Sequence, residues 1–95
     1  MENNITVDKL DKYFDKNIKI ILYFERKKDI NTKNGEKMMF INASDSCGEV
    51  ELTMFPSVYK KYFNIVSTGV YEVVGKVEKR FSKLQIIIND LKKCE

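Results

Sequence analysis

Apolar and polar residues alternate along several stretches of the chain, a period of two that is typical of β-strands buried on one face. The clearest pair of such stretches is residues 37–44 and 49–55, separated by the short segment 45–48. This arrangement predicts a β-hairpin, because Gly48 stands where a tight turn needs a positive φ. One face of the hairpin is assigned to the core, namely Met39, Ile41, Ala43, Val50, Leu52 and Met54. The opposite face carries Met38, Phe40, Asn42, Glu51, Thr53 and Phe55.

Three further strands are predicted on the same grounds. Residues 18–24 are rich in β-branched and aromatic side chains, and Ile18, Ile20 and Leu22 are assigned to the core side. Residues 70–79 and 84–91 form a last pair, joined by a connector at 80–83. Residues 25–36 are expected to be a loop that ends in a tight turn at Asn34-Gly35. Gly75 lies inside a predicted strand, where a glycine permits the bend of a closing sheet.

Two helices complete the predicted order. Thr6 is expected to cap a short helix that extends to about Lys16, with Asn17 as its left-handed stop. Val7, Leu10 and Phe14 would share one face of it. Pro56 ends the third strand and favours a second helix over residues 57–65. Its aromatic side chains are expected to pack at one end of the sheet, namely Tyr59, Tyr62 and Phe63.

This order predicts a mainly β protein, a five-stranded Greek-key OB-fold barrel with a helix between strands 3 and 4 and a short N-terminal helix. Closure removes the two edges that a flat sheet would leave open to aggregation. The alternative is an open sheet with two helices on one face. The 95 residues are expected to form one domain, 1–95.

The net charge is only +3, but it is unevenly distributed. Residues 26–37 carry five basic and two acidic groups, and residues 76–83 carry four basic and one acidic group. Two basic segments on an otherwise acidic body indicate a localised anionic partner. The alternative is that the lysines only keep the domain soluble.

Nothing in the sequence suggests catalysis. The chain has no histidine, no glycine-rich phosphate loop and no nucleophile elbow, so no enzyme activity, cofactor or small-molecule substrate is predicted. Cys47 and Cys94 lack metal-ligand spacing and are expected to be free thiols. Asp45 is expected to bond its own turn rather than a metal. With no apolar run of membrane length, the chain is predicted to be soluble and cytoplasmic.

Binding is better supported than catalysis. OB barrels bind oligonucleotides on strands 2 and 3, between the loops that join strands 1–2 and 4–5, and those loops coincide with the two basic segments. Aromatic side chains stack on bases while lysine and arginine contact phosphates. The predicted nucleic-acid contacts are Arg26, Lys28, Lys33, Lys37, Phe40, Asn42, Thr53, Phe55, Lys79, Arg80, Phe81 and Lys83. Alternatively, a one-residue slip would bury Phe40 and Phe55, and Phe81 could fold over a barrel end.

Three segments resemble a known family. Residues 32–40, residues 45–51 and Phe55-Pro56 followed by Tyr59 are similar to the OB domain of bacterial DNA polymerase III alpha subunits of the DnaE type. Residues 74–77 resemble its fourth strand, and the similarity covers residues 7–91. The chain departs from the family pattern in two places, at Asn17 and Leu22.

The resemblance implies a non-catalytic module excised from a much larger DNA-directed DNA polymerase. Such a module would bind single-stranded template DNA without sequence preference, and Lys33, Phe40 and Phe55 match the family motif. Its expected partners are single-stranded DNA, other domains of the polymerase subunit and replisome proteins, with no membrane. Two alternatives stay open. One is a protein-interaction module with Met38, Phe40 and Phe55 as its contact patch; the other is an RNA-binding OB domain of the anticodon-binding type.

Overall fold

The computed structural model describes residues 5–94, which fold into a closed β-barrel with two short helices. A 3₁₀ helix, Val7–Tyr13, precedes the barrel. The other elements, in chain order, are β1 (Asn17–Asn31), β2 (Lys37–Asp45), β3 (Gly48–Met54), α1 (Pro56–Tyr62), β4 (Gly69–Arg80) and β5 (Lys83–Lys93).

The strands follow one another around the barrel in the order β1-β2-β3-β5-β4, and β4 pairs back onto β1. Every pairing is antiparallel except that of β3 with β5, which is parallel. Helix α1 lies between β3 and β4 in the chain. This topology confirms the predicted OB-fold barrel and excludes the open sheet.

The core fills the inside of the barrel with the side chains that the alternation predicted. All six inward residues of the β2–β3 hairpin are buried, and so are Ile18, Ile20 and Leu22 of β1. Phe24 is also buried and stacks on Tyr71, with ring centroids 4.2 Å apart. The Tyr71 hydroxyl donates a 2.7 Å hydrogen bond to the Ile65 carbonyl, so this ring pair also anchors the segment between α1 and β4.

Strand β1 is longer than the sequence predicted. It continues through residues expected to form a loop, and the connection to β2 shrinks to residues 32–36. The continuation depends on a bulge at Glu25, because Phe24 pairs with Ala43 while Arg26 pairs with the adjacent Asn42. Glu25 accepts a 2.6 Å hydrogen bond from the Ser44 hydroxyl beside this bulge. The bulge moves Arg26 to the outer face of the barrel.

Gly75 lies at a second irregularity, where the β4–β5 register shifts between Val74 and Gly75. A Cβ atom built on Gly75 would lie 2.4 Å from the Ile87 carbonyl oxygen. Besides its predicted role in a bend, Gly75 therefore has a second role, which is to allow the close approach of β5.

The ends of the helices differ from the prediction. The first helix is 3₁₀ and ends at Tyr13, because Asp15 already donates a 2.7 Å hydrogen bond to the Val77 carbonyl of β4. Thr6 occupies the N-cap position but gives no capping bond, since its hydroxyl donates to the side chain of Asp8. The left-handed residue is Asp15, with φ 69°, and not Asn17, which begins β1. Leu10 is buried as predicted.

Phe14 and Phe63 were expected to pack and are instead 48% and 47% exposed. Each follows the end of its helix, where the helical periodicity behind the prediction no longer applies. Tyr59 is buried at the barrel end, as predicted, and its ring stacks on that of Phe63. Tyr62 also packs against the core.

Asp45 plays the predicted part in its turn. One carboxylate oxygen accepts a 2.8 Å hydrogen bond from the Cys47 amide, and the other accepts a 2.9 Å bond from the Val7 amide. The second bond, which the sequence did not suggest, ties the N-terminal helix to the hairpin. Cys47 and Cys94 are free cysteines. Neither helix within residues 5–94 has the length and apolar character needed to cross a membrane.

Candidate nucleic-acid interface

A groove of about 520 Å³ opens on the outer face of β2, β3 and β5, next to the β4–β5 turn. Five of the predicted contact residues line it, namely Phe40, Asn42, Arg80, Phe81 and Lys83. These side chains come from two regions about 40 residues apart in sequence, and closure of the barrel brings them together. The face that the sequence selected is therefore concave and carries both aromatic and basic groups.

The strand register arranges the outer side chains in rows across the barrel, because directly paired residues point to the same face. One row consists of Arg26, Asn42, Glu51 and Gln85. The next row consists of Lys28, Phe40, Thr53 and Ile87. Arg26 and Lys28 thus stand at the β1 end of the two rows, beside the side chains that line the groove.

Phe40 lies outside the core and is partly exposed. The Arg80 guanidinium lies 5.3 Å from the centroid of its ring and 5.7 Å from that of Phe81. A cation at this distance from an aromatic ring is attracted to its face. The outward parity of Phe40 is therefore confirmed, and the one-residue slip is wrong.

The β4–β5 turn is shorter than predicted, because Arg80, the last residue of β4, pairs with Lys83, the first residue of β5. Phe81 and Ser82 alone form the turn, with φ of 52° and 71°. Two consecutive positive φ values are the mark of a type I′ hairpin turn. Phe81 is 90% exposed at its tip, so the alternative in which it folds over a barrel end is wrong.

Thr53 is placed differently from the prediction, since its side chain is only 2% exposed. It shares its row with Phe40 and Ile87, and it donates a 2.9 Å hydrogen bond to the Gln85 amide oxygen. Parallel pairing with β5 covers this part of β3, so Thr53 cannot contact a ligand directly. Met38 is likewise buried, at 9% exposure.

Besides Arg26, Lys28 and Thr53, four more predicted contact residues do not line the groove. Lys33 belongs to the 32–36 turn, and Lys37 pairs with Asn31 at the start of β2. Phe55 is 46% exposed just before α1. The ammonium of Lys79 lies 5.5 Å from the ring of Phe14 rather than in the groove.

Polar residues form the floor of the groove, and this was not predicted from the sequence. Glu49, Glu51 and Gln85 line it together with Asn42. The alternation of strand side chains puts Glu51 on the same face as Asn42, and this pattern could have predicted that Glu51 belongs to the groove. Carboxylates repel phosphates, so the basic residues at the rims are better placed to contact a nucleic-acid backbone than the floor is.

Two tyrosines of α1 fasten the helix to the barrel. The Tyr59 hydroxyl donates a 3.1 Å hydrogen bond to Asp29 of β1, and burial together with the nearby Asp29 carboxylate raises the pKa of Tyr59. The Tyr62 hydroxyl donates to Asp90 of β5, and this bond raises the pKa of Tyr62. Neither tyrosine lines the groove, so this is a stabilising arrangement.

Comparisons with known proteins agree with this geometry. Residues 24–93 match the family described as OB-fold nucleic acid binding domain. The chain is also 39% identical over 77 residues to DNA polymerase III subunit alpha of Staphylococcus epidermidis, an alignment that covers 80% of this chain. The resemblance noted from the motifs is thereby confirmed. The match spans about 7% of the length of that relative.

Two solved structures resemble the barrel at low sequence identity. A crystallised domain of replication protein A from Methanococcus maripaludis aligns with a TM-score of 0.72 and 18% identity, covering 98% of this chain and 97% of its own. Asparaginyl-tRNA synthetase from Pyrococcus horikoshii aligns with a TM-score of 0.73 and 12% identity, covering 100% of this chain and 23% of its own. At these identities the likeness shows the fold alone.

Proposed function

This chain belongs to the family of OB-fold nucleic-acid-binding domains, and we propose that it binds single-stranded DNA as a non-catalytic module of a DNA polymerase III alpha subunit. Its role there is to position the template strand. The observation that carries the proposal is the contact between Arg80 and Phe40, which places a cation and an aromatic ring together at one wall of the groove. Single-stranded nucleic acids are bound by this combination of stacking rings and positive charge.

The distribution of charge favours an unpaired strand over a duplex. Arg26 and Lys28 stand on one side of the groove, Arg80 and Lys83 on the other, and the floor between them holds Glu51. A backbone that follows the basic rims turns its bases towards the floor. Only unstacked, unpaired bases can enter such a groove, since the bases of a duplex are stacked and paired.

DNA is favoured over RNA because a relative that aligns with 80% of this chain is a DNA polymerase III subunit alpha. The protein-interaction alternative proposed a contact patch of Met38, Phe40 and Phe55, and Met38 is buried. The RNA-binding alternative uses the same groove and is distinguished by experiment.

Fluorescence anisotropy on the 95-residue chain tests the proposal. The probes are a mixed-sequence 12-nucleotide single strand of DNA, the same strand in a duplex, and its RNA counterpart, each at several salt concentrations. We expect the single DNA strand to bind most tightly and its affinity to fall as salt rises. No binding at low salt, or equal binding of the duplex, would contradict the proposal, and tighter binding of RNA would support the RNA alternative.

An NMR titration with the same strand locates the contact. Backbone amides of Phe40, Asn42, Arg80 and Lys83 are expected to shift, while those of Lys60 and Phe63 on the far side of α1 stay unchanged. Shifts confined to α1 would point to a different surface.

A further inference from the structure

The floor of the groove carries three adjacent polar side chains. Asn42 of β2 pairs with Glu51 of β3, which in turn pairs with Gln85 of β5. Neighbouring strands lie about 4.8 Å apart, so two adjacent side chains of this row are separated by roughly the width of one base edge. All three line the groove.

Gln85 is held in one orientation. It is 8% exposed, and its amide oxygen accepts the 2.9 Å hydrogen bond from the buried Thr53 hydroxyl. With the oxygen occupied, Gln85 offers its N–H groups to the groove that it lines. The contact with the buried Thr53 thus leaves the amide nitrogen of Gln85 available as a donor.

Glu51 supplies hydrogen-bond acceptors next to this donor. Its exposed carboxylate has two oxygens, both of which accept hydrogen bonds and neither of which donates. A phosphate is repelled from this position, whereas a base edge that presents donors is attracted. The row therefore offers a pair of acceptors next to a donor.

Among the DNA bases, guanine alone has two adjacent donors on its Watson–Crick edge, N1–H and the 2-amino group, and they stand next to the acceptor O6. We propose that the groove reads guanine at one position of the bound strand. Glu51 accepts from N1–H and the 2-amino group, and Gln85 donates to O6. Phe81, at the groove's edge, offers a stacking face for the base. This inference rests on the proposed single-strand binding and replaces the expectation of no sequence preference.

The test compares 12-nucleotide strands of thymidine that carry one central substitution, measured by anisotropy with the 95-residue chain. A single guanine is expected to tighten binding by about fivefold to a hundredfold over all-thymidine. Inosine, which lacks the 2-amino group, should recover only part of that gain, and adenine should give less. Equal affinity for all four strands would overturn the guanine proposal and leave single-strand binding intact. No binding of any strand would overturn both.

Two charge-matched variants separate base reading from simple charge. Glu51→Gln loses the pair of acceptors and should lose most of the preference for guanine, while its affinity for all-thymidine rises because repulsion has decreased. Glu49→Gln removes the same charge from the same groove but pairs with Ser44 rather than Gln85, and it should keep the preference. An undiminished preference in Glu51→Gln, or an equal loss in both variants, would overturn the assignment.

Discussion

The Arg80 guanidinium lies 5.3 Å from the centroid of the Phe40 ring, and this contact joins the end of β4 to the outer face of β2. Arg80 also lies 5.7 Å from the Phe81 ring, so it stands between two aromatic side chains of the groove. Such exposed cation–π contacts are worth about 0.5–1 kcal/mol each. They order the groove before a ligand arrives, which reduces the entropy lost on binding.

Replacing Phe40 with alanine should weaken binding of single-stranded DNA by about 1–3 kcal/mol, because one stacking surface is lost together with the partner of Arg80. The fold should persist, since Phe40 is partly exposed and lies outside the core. Anisotropy titration measures the affinity, and thermal unfolding checks the fold.

Phe63→Ala is the matched control for this change. Phe63 is 47% exposed and follows α1, away from the groove, so its loss should leave the affinity unchanged. Equal weakening by the two variants, or an unfolded Phe40→Ala protein, would contradict the assignment of Phe40 to the binding face.

Replacing Arg80 or Lys83 with alanine should reduce the salt dependence of binding. Each phosphate contact on a single strand contributes about 0.7 to the slope of log K against log salt concentration, so each variant should lower the slope by about that amount. The measurement is anisotropy at four or five salt concentrations. Lys60→Ala, on the exposed side of α1, should leave the slope unaltered. A slope that stays the same in Arg80→Ala would exclude phosphate contact by that residue.

The hairpin faces could be read from the sequence because strand side chains alternate and only one face enters the core. Ile41 and Leu52 are buried while Phe40 and Asn42 are not, as the period of two requires. The same alternation located the strands, and the charge distribution located the two basic segments. Together they identified five of the ten residues that line the groove.

The extension of β1 could not be read in this way. Residues 25–31 are mostly polar on both faces and largely exposed, although the β2 residues with which they pair include the buried Met39 and Ile41. Their ladder to β2, and not an apolar pattern of their own, makes them a strand. The bulge at Glu25 also reverses the parity of everything after it. Arg26 and Lys28, which were predicted to be loop residues, are strand residues on the outer face of β1.

Long-range pairing explains the error at Thr53. Its neighbour Gln85 is 32 residues away and belongs to a strand that pairs in parallel. No local pattern gives the register of such a pairing. The buried Thr53, the donor orientation of Gln85 and the acidic floor all depend on that register, and so they emerge only from the folded barrel.

Raising the pH above about 10 should destabilise the protein through Tyr59 and Tyr62. The pKa of each is raised in the folded state by burial and by the carboxylate that accepts its hydroxyl hydrogen bond. The folded state therefore holds these protons more tightly than the unfolded state. The resulting stability is complete below the unfolded pKa, near 10, and is lost as the pH rises through the folded value.

Urea unfolding at pH values from 8 to 11 measures this loss. The double variant Tyr59→Phe, Tyr62→Phe should lose less stability over the interval than the unaltered chain. Tyr23→Phe, at an exposed position on β1, serves as the control. An identical loss in the double variant would show that other groups govern the alkaline transition.

Replacing Gly75 with alanine should destabilise the barrel by about 2 kcal/mol or more, because the new Cβ would lie 2.4 Å from the Ile87 carbonyl oxygen and 2.6 Å from a methyl carbon of Ile86. Neither β4 nor β5 can move aside here without breaking the ladder between the two strands. Gly35→Ala is the contrasting case, since nothing lies within 4 Å of its Cβ and only its φ of 82° opposes the change, at a cost of about 1 kcal/mol. Urea unfolding of the two variants separates the effects. A smaller loss in Gly75→Ala than in Gly35→Ala would mean that β5 can yield at this bulge, and that the barrel does not depend on so close an approach.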